Sequence, residues 1–152
     1  MAGKKETEEP LGVYIDSSAL AKLYLPEPES DVLDAFLRGR RDLVISDLSI
    51  TEVISAIARR RREGSLDAKQ TNRIRDAVLS DATSNSLRRL DLTPAIHRDA
   101  ERMLLSTESV PLRTLDALHI ALAVAGAVTD VLTFDGRMAE AAVLFGLRVV
   151  RL

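Results

Sequence analysis

Residues 11–25 read LGVYIDSSALAKLYL, and we interpret the rest of the chain as arranged around this stretch. Its β-branched and aromatic run, Val13 to Ile15, is typical of a short strand buried on both faces. Asp16 ends the strand, and ALAKLYL continues at helical spacing with Ser17 and Ser18 as candidate N-caps. Ligands of open parallel sheets bind beyond the carboxyl ends of the strands. Asp16 is therefore expected at the edge of a binding crevice, with a plain helix cap as the equal alternative.

The composition favours one domain that needs no covalent cross-links for stability. The chain has 152 residues, of which 46% are hydrophobic and 29% charged, and it contains no cysteine, which excludes disulfides and thiolate metal sites. No apolar run approaches the ~20 residues that cross a bilayer, and no signal peptide is visible. We expect a cytoplasmic domain over 11–152 after a disordered charged tail over 1–10. The net charge of −2 is not that of a typical nucleic-acid binder, although Arg59 to Arg62 concentrate four positive charges.

Strand patterns alternate with helical patterns along the whole chain. The apolar helix 114–125 is expected to be buried, and helix 67–84 to bury Ile74, Ala77 and Val78. The alternation predicts an α/β fold, a three-layer Rossmann-like domain with a central parallel β-sheet flanked by helices. The predicted strands cover residues 13–16, 42–46, 87–92, 128–134 and 147–152, and the predicted helices cover 18–24, 29–37, 48–62, 67–84, 94–106, 114–125 and 136–144.

Four acids, Asp16, Glu52, Asp116 and Asp135, follow or open apolar elements. Each has a structural alternative: Asp16 and Asp135 as helix caps, Glu52 in a capping box with Ser49, and Asp116 beside a helix dipole. Together the four acids favour a cation site, because buried carboxylates that repel one another persist when a cation neutralises them. Oxygen ligands without cysteine favour a hard divalent ion, Mg²⁺ or Mn²⁺.

Four blocks carry a family resemblance, namely VYIDSSALAKLYLPEP, SDLSITEVISAIARR, LRTLDALHIALA and VLTFDGRMAEAAVLFGLRVV. In this order they resemble the PIN-domain ribonucleases, in particular the VapC-like toxins of toxin–antitoxin pairs. The resemblance covers residues 11–152 and is weakest between Gly64 and Ser106.

The resemblance implies that the acids meet at one end of the sheet to hold Mg²⁺ or Mn²⁺. Asp16, Glu52 and Asp116 match the three characteristic acids of the family, and Asp135 matches a fourth, more variable one. We expect Asp16 and Asp116 to bind the metal directly, and Glu52 and Asp135 to act through water or on the attacking water. Supporting hydroxyls are expected at Ser17 and Thr133.

The resemblance also implies a metal-dependent endoribonuclease acting as a toxin, with transfer RNA as a candidate substrate. A homodimer is implied, as is a cognate antitoxin that covers the active-site groove. Arg59, Arg113 and Arg137 are candidate contacts of RNA or antitoxin, while a solvated helix end is the alternative for Arg59. His119 is either a partner of the acids or, as we favour, a packed core histidine.

Other classes of function fit the sequence less well. A catalytically inactive PIN-like module that binds RNA or serves as a scaffold would have no reason to keep all four acids. A phosphatase of the haloacid dehalogenase type needs a second aspartate two residues after Asp16, where Ser18 stands. Nucleotide hydrolysis is disfavoured because the chain has no G-x-x-x-x-G-K-[ST] loop.

Overall fold

The computed structural model describes residues 12–152, so the expected tail over 1–10 lies outside the described residues. Five parallel strands form one sheet in the order β3-β2-β1-β4-β5. This arrangement confirms the α/β fold predicted from the sequence. The strands are β1 (Val13–Ile15), β2 (Leu43–Ser46), β3 (Arg88–Leu90), β4 (Asp130–Leu132) and β5 (Arg148–Val150).

Seven helices connect the strands in the described part of the chain. The predicted bounds of α5, α6 and α7 are confirmed to the residue, and the other predicted helices overlap the observed ones closely. No helix within residues 12–152 combines the length and the apolar composition needed to span a bilayer. The helices are α1 (Ser17–Tyr24), α2 (Ser30–Leu37), α3 (Asp47–Arg62), α4 (Ala68–Ala82), α5 (Pro94–Ser106), α6 (Thr114–Ala125) and α7 (Gly136–Leu144).

The sheet separates two apolar clusters, because successive strand residues point to opposite faces. Tyr14 and Val131 pack with α5, α6 and α7 in one cluster. Ile15 and Leu132 pack in the other with α1, α2, α3 and α4. These are the three layers that the sequence predicts, and α6 buries eight of its twelve residues, as expected.

The central position of β1 determines where the functional side chains meet. This strand pairs with β2 on one side and with β4 on the other, with Ile15 opposite Leu132. Residues that follow the three strands therefore lie at one edge of the sheet. Gly12 begins β1 at a φ of +130°, and a Cβ there would lie 3.0 Å from the carbonyl oxygen of Asp42, so glycine is required.

The caps of α1 and α3 settle two alternatives that the sequence left open. The N-cap of α1 is Asp16, the cap alternative given for this residue, so the candidate caps Ser17 and Ser18 lie inside the helix. Ser46 caps α3 by accepting the backbone N–H of Ser49, and the predicted box of Ser49 with Glu52 does not form. Both helices thus begin one residue earlier than expected, directly at the ends of β1 and β2.

Helix α4 buries a narrower stripe than predicted. Ile74 is half-buried and Val78 is buried, but Ala77 is exposed. The buried line continues to Ala82, at a spacing of four residues, because α4 lies at the margin of the layer and packs mainly on α3. The prediction that Ala77 is buried was wrong, because α4 is rotated about its axis relative to the predicted orientation.

Candidate active site

One cavity at the carboxyl edge of the sheet brings the four predicted acids together. Its volume is about 250 Å³, and each acid reaches it from a different place in the fold. Asp16 follows β1, Glu52 lies in the second turn of α3, Asp116 lies in the first turn of α6, and Asp135 caps α7. Ser17, Ser18, Arg113 and His119 line the same cavity.

Asp16 is both a helix cap and part of the cavity wall. Its side chain is buried, and Oδ1 accepts hydrogen bonds from the Ser18 hydroxyl at 2.7 Å and the Ala19 N–H at 3.0 Å. Oδ2 accepts a hydrogen bond from the Thr133 hydroxyl. Burial raises the pKa of Asp16, and these hydrogen bonds oppose the rise because they stabilise the carboxylate.

Two hydroxyls tie the end of β1 to the end of β4. Ser18 Oγ accepts the Phe134 N–H at 2.9 Å, and Thr133 Oγ1 accepts the Asp135 N–H at 3.0 Å. Thr133 therefore touches Asp16 directly and holds the backbone before Asp135. Ser18 is a site residue that the sequence reasoning treated only as a cap, although its position two residues after a strand-ending aspartate was the available signal.

Arg113 bridges two of the acids. Its guanidinium donates from Nε to Asp116 Oδ2 at 2.8 Å, from NH2 to Asp116 Oδ1 at 3.3 Å, and from NH2 to Asp135 Oδ2 at 2.6 Å. Burial works to raise the pKa of Asp135, but Arg113 and two backbone N–H groups hold it below its ordinary value. The two hydrogen-bonded carboxylates raise the pKa of Arg113. The sequence placed Arg113 among phosphate contacts, whereas here its charge is engaged by the acids.

Glu52 is held by the buried histidine. His119 is 3% exposed, and its Nε2 lies 2.6 Å from Glu52 Oε2 while its Nδ1 lies 2.7 Å from the Tyr14 hydroxyl. Burial works to raise the pKa of Glu52, but hydrogen bonds from His119 and Ser17 and the nearby charges lower it overall. His119 is thus a packed core histidine, as favoured, and also a partner of an acid. Ser17 supports Glu52 rather than Asp16.

The donor set suits a hard divalent ion, but the side chains are arranged for other partners. Within residues 12–152 no three histidine or acidic side chains are placed to hold one ion together. Each acid is occupied instead, Asp16 by hydroxyls, Glu52 by His119, and Asp116 with Asp135 by Arg113. Each carboxylate offers about four acceptor positions, and the Arg113 side chain that occupies two of the acids is itself 46% exposed. The carboxylates therefore fit Mg²⁺ or Mn²⁺ once Arg113 leaves them.

A wider groove of about 650 Å³ adjoins the acids and runs along α1 and α3. Glu52 and Asp135 line one end, and Arg59 and Arg62 lie farther along. Within the described residues, neither Arg59 nor Arg62 forms an ion pair. The predicted contact Arg137 is exposed in the first turn of α7 and lines neither this groove nor the cavity of the acids.

The sequence and the fold both have counterparts among known proteins. The PIN domain family matches residues 13–144. A protein named ribonuclease VapC46, from Mycobacterium tuberculosis, is 37% identical over 142 residues, which cover 91% of this chain and 95% of that protein.

Solved structures have the same fold at low sequence identity. VapC20 of Mycobacterium tuberculosis, described as a toxin that cleaves the sarcin-ricin loop, matches with a TM-score of 0.69 at 17% identity, covering 86% of this chain and 95% of that one. A toxin–antitoxin complex from Klebsiella pneumoniae contains a chain that matches with a TM-score of 0.62 at 17% identity, covering 92% of this chain and 97% of that one.

Proposed function

This chain belongs to the PIN-domain family, within its VapC-like group, and we propose that it is a metal-dependent endoribonuclease that acts as a toxin and is neutralised by a cognate antitoxin. The observation that carries the proposal is the meeting of Asp16, Glu52, Asp116 and Asp135 in one cavity. The elements that supply these acids are far apart in sequence. Helix caps and ion pairs stabilise a fold wherever they lie, so these structural roles alone give no reason for the four acids to meet in one place.

We assign Asp16 and Asp116 as the residues that would hold Mg²⁺ or Mn²⁺. When bound, such an ion lowers the pKa of a coordinated water and offsets charge that develops on the phosphoryl oxygens. Glu52 and Asp135 are assigned to orient the attacking water or to act on the ion through water. Thr133 and Ser18 keep the Asp16 carboxylate turned into the cavity, and Ser17 does the same for Glu52.

The groove beside the acids is the proposed path of the RNA. Arg59 is exposed, lies seven residues after Glu52 on α3, and therefore shares its face about two turns away. It is the proposed phosphate contact, and Arg137 is a weaker one. Aromatic residues make up only 3% of the chain. Recognition of RNA is therefore assigned to shape and phosphate contacts rather than base stacking, with transfer RNA as a candidate.

The antitoxin is proposed to occupy the same groove. Leu115 and Phe134 offer apolar surface next to Glu52 and Asp135, so a segment with one apolar and one basic side chain matches its lining. Exposed apolar side chains on α1 and α2, Leu23 and Val32, are the proposed contribution to a homodimer. We place the toxin and its antitoxin in the cytoplasm, where the RNA is.

Cleavage of RNA by the purified chain tests the activity. We expect cleavage with Mg²⁺ or Mn²⁺, none with excess chelator, and none for Asp116→Asn. The matched control is Asp130→Asn, because Asp130 lies at the opposite edge of the sheet and pairs with Arg148. Persistent cleavage by Asp116→Asn would refute the assignment of this residue.

Calorimetry separates an active site from an inactive scaffold. We expect binding of Mg²⁺ or Mn²⁺ to the wild-type chain and to Asp130→Asn, and its loss in Asp16→Ala. A chain that binds RNA but shows neither a divalent site nor cleavage would contradict the proposal and favour the inactive PIN-like module. Sequencing the ends of RNA cleaved after induced expression would identify the substrate.

A further inference from the structure

We propose that Tyr14 and His119 are positioning residues that keep a hydrogen-bond donor on Glu52 and so hold this carboxylate in the cavity. The inference rests on the proposed function for its effect on cleavage, but its geometric part stands without it. Neither side chain is assigned a contact with RNA or metal.

A continuous chain of hydrogen bonds links the middle of the sheet to the cavity. The Ser46 hydroxyl lies 2.7 Å from the Tyr14 hydroxyl, which lies 2.7 Å from His119 Nδ1. On the far side of the ring, His119 Nε2 lies 2.6 Å from Glu52 Oε2. Tyr14 is fully buried and His119 nearly so, whereas Glu52 is partly exposed. The chain therefore begins in the core and ends at the site.

The direction of these bonds follows from what each group can donate. An ionised carboxylate only accepts, so His119 Nε2 must carry the proton that points at Glu52. In the neutral ring Nδ1 is then an acceptor, and the Tyr14 hydroxyl donates to it while Ser46 donates to Tyr14. If the ring gains a second proton, Nδ1 donates to Tyr14 and the hydroxyl turns toward Ser46. Nε2 donates to Glu52 in both states, because the Tyr14 hydroxyl can either donate to Nδ1 or accept a hydrogen bond from it.

Only one orientation of the His119 ring satisfies both of its hydrogen bonds. The rings of Tyr14 and His119 meet edge to face, with centroids 5.8 Å apart and planes at 63°. A flip of the imidazole would place carbon atoms opposite the hydroxyl and the carboxylate, and both hydrogen bonds would be lost. Partners of this kind, one shell behind a functional acid, commonly change activity by about 10- to 100-fold when removed.

Substitutions at the two positions separate the donor from the ring. We expect His119→Leu to lower kcat by about 10- to 100-fold with KM changed by less than about twofold. His119→Gln, whose side-chain amide can donate to Glu52, should recover most of that loss. Tyr14→Phe should lower kcat by about three- to tenfold in the wild-type background, and by less than about twofold when His119 is already Gln, since the pair acts through one bond.

The chain contains matched controls for both substitutions. It has two tyrosines and two histidines. The hydroxyl of Tyr24 donates to Asp81 at 2.9 Å on the other face of the molecule's sheet, and His97 is exposed on α5. Tyr24→Phe and His97→Gln should leave kcat and KM unchanged. An equal loss of kcat for Tyr14→Phe in both backgrounds, or no rescue by Gln, would overturn the coupling.

Nitrogen-15 NMR of the metal-free chain tests the geometry without any activity. In the neutral state of the ring we expect His119 to show a protonated Nε2 and a bare, hydrogen-bonded Nδ1. Tyr14→Phe should move the Nδ1 resonance toward that of a free acceptor, and Tyr24→Phe should not. A protonated Nδ1 with a bare Nε2 in the wild-type chain would refute the inference even if the chain cleaves RNA. Absence of cleavage with the expected resonances would refute the proposed function alone.

Discussion

Arg113 holds the position that a cation would take beside two of the acids, so its removal should tighten binding of a divalent ion. In the structure its guanidinium makes three contacts of 2.6 to 3.3 Å with Asp116 and Asp135. An ion at Asp116 must displace these contacts. We therefore expect Arg113→Gln to bind Mg²⁺ and Mn²⁺ more tightly than the wild-type chain, even though a polar side chain of similar length is kept.

The size of the effect follows from the exposure of the ion pair. Two unit charges 4 Å apart interact by ~1 kcal/mol in water and by ~4 kcal/mol at an effective dielectric constant of 20. Because the Arg113 side chain is 46% exposed, the lower part of this range applies. About 1.4 kcal/mol corresponds to a tenfold change, so the Kd of the ion should fall by about tenfold.

Isothermal titration calorimetry at low salt measures this difference directly. Arg137→Gln is the matched control, since Arg137 is exposed and only its backbone N–H contacts Asp135. The gap between Arg113→Gln and the wild-type chain should narrow in ~1 M salt, where the screening length is about 3 Å. An unchanged or weaker affinity in Arg113→Gln would refute the view that this arginine competes with the metal.

Three further outcomes can be measured independently of the metal. Burial works to raise the pKa of Asp47, but the Leu92 N–H and Arg89 hold it below its ordinary 3.8. The contribution of Asp47 to stability is therefore present above that value and is lost as the pH falls. Asp47→Asn should lower the free energy of unfolding at neutral pH by about 1 to 2 kcal/mol and by less in acid, as urea titrations would reveal. Equal losses at both pH values would contradict this. Arg59→Gln should reduce the slope of log affinity for single-stranded RNA against log salt by about 0.7, and an unchanged slope would mean that Arg59 touches no phosphate. Gly12→Ala should lower the free energy of unfolding by about 1 to 3 kcal/mol, because alanine disfavours the φ of +130° and its Cβ would crowd a backbone oxygen, and a wild-type melting temperature would exclude that strain.

The elements were predictable from the sequence because their signals are local. Helix α6 is apolar nearly all round and ends before Gly126, and α7 opens behind a capping aspartate, so their bounds follow from short patterns. The four acids were found for the same reason, since each lies just after a buried strand or in the first two turns of a helix. The wrong prediction for Ala77 also has a local cause, because sequence alone does not fix how a marginal helix is rotated about its axis.

The contacts between the acids and their partners were not predictable in the same way. Ser18 meets Phe134 across 116 positions, and Tyr14 meets His119 across 105. Such pairs depend on the strand order and on the register of β1 against β4, which a single sequence does not specify. Arg113 was noticed as a cation near the acids, but its choice between the carboxylates and RNA depends on side-chain geometry. The sequence therefore predicted which residues meet and left open how they are held.

The pairing of β1 with β4 sets a time at which the site can exist during protein synthesis. Asp16 is made early, but the hydroxyl that orients it belongs to Thr133, 117 positions later. A nascent chain on the ribosome that has not yet released β4 has neither the central strand pair nor the arginine-bridged acids. The four acids can therefore gather in one cavity only after most of the chain has been synthesised.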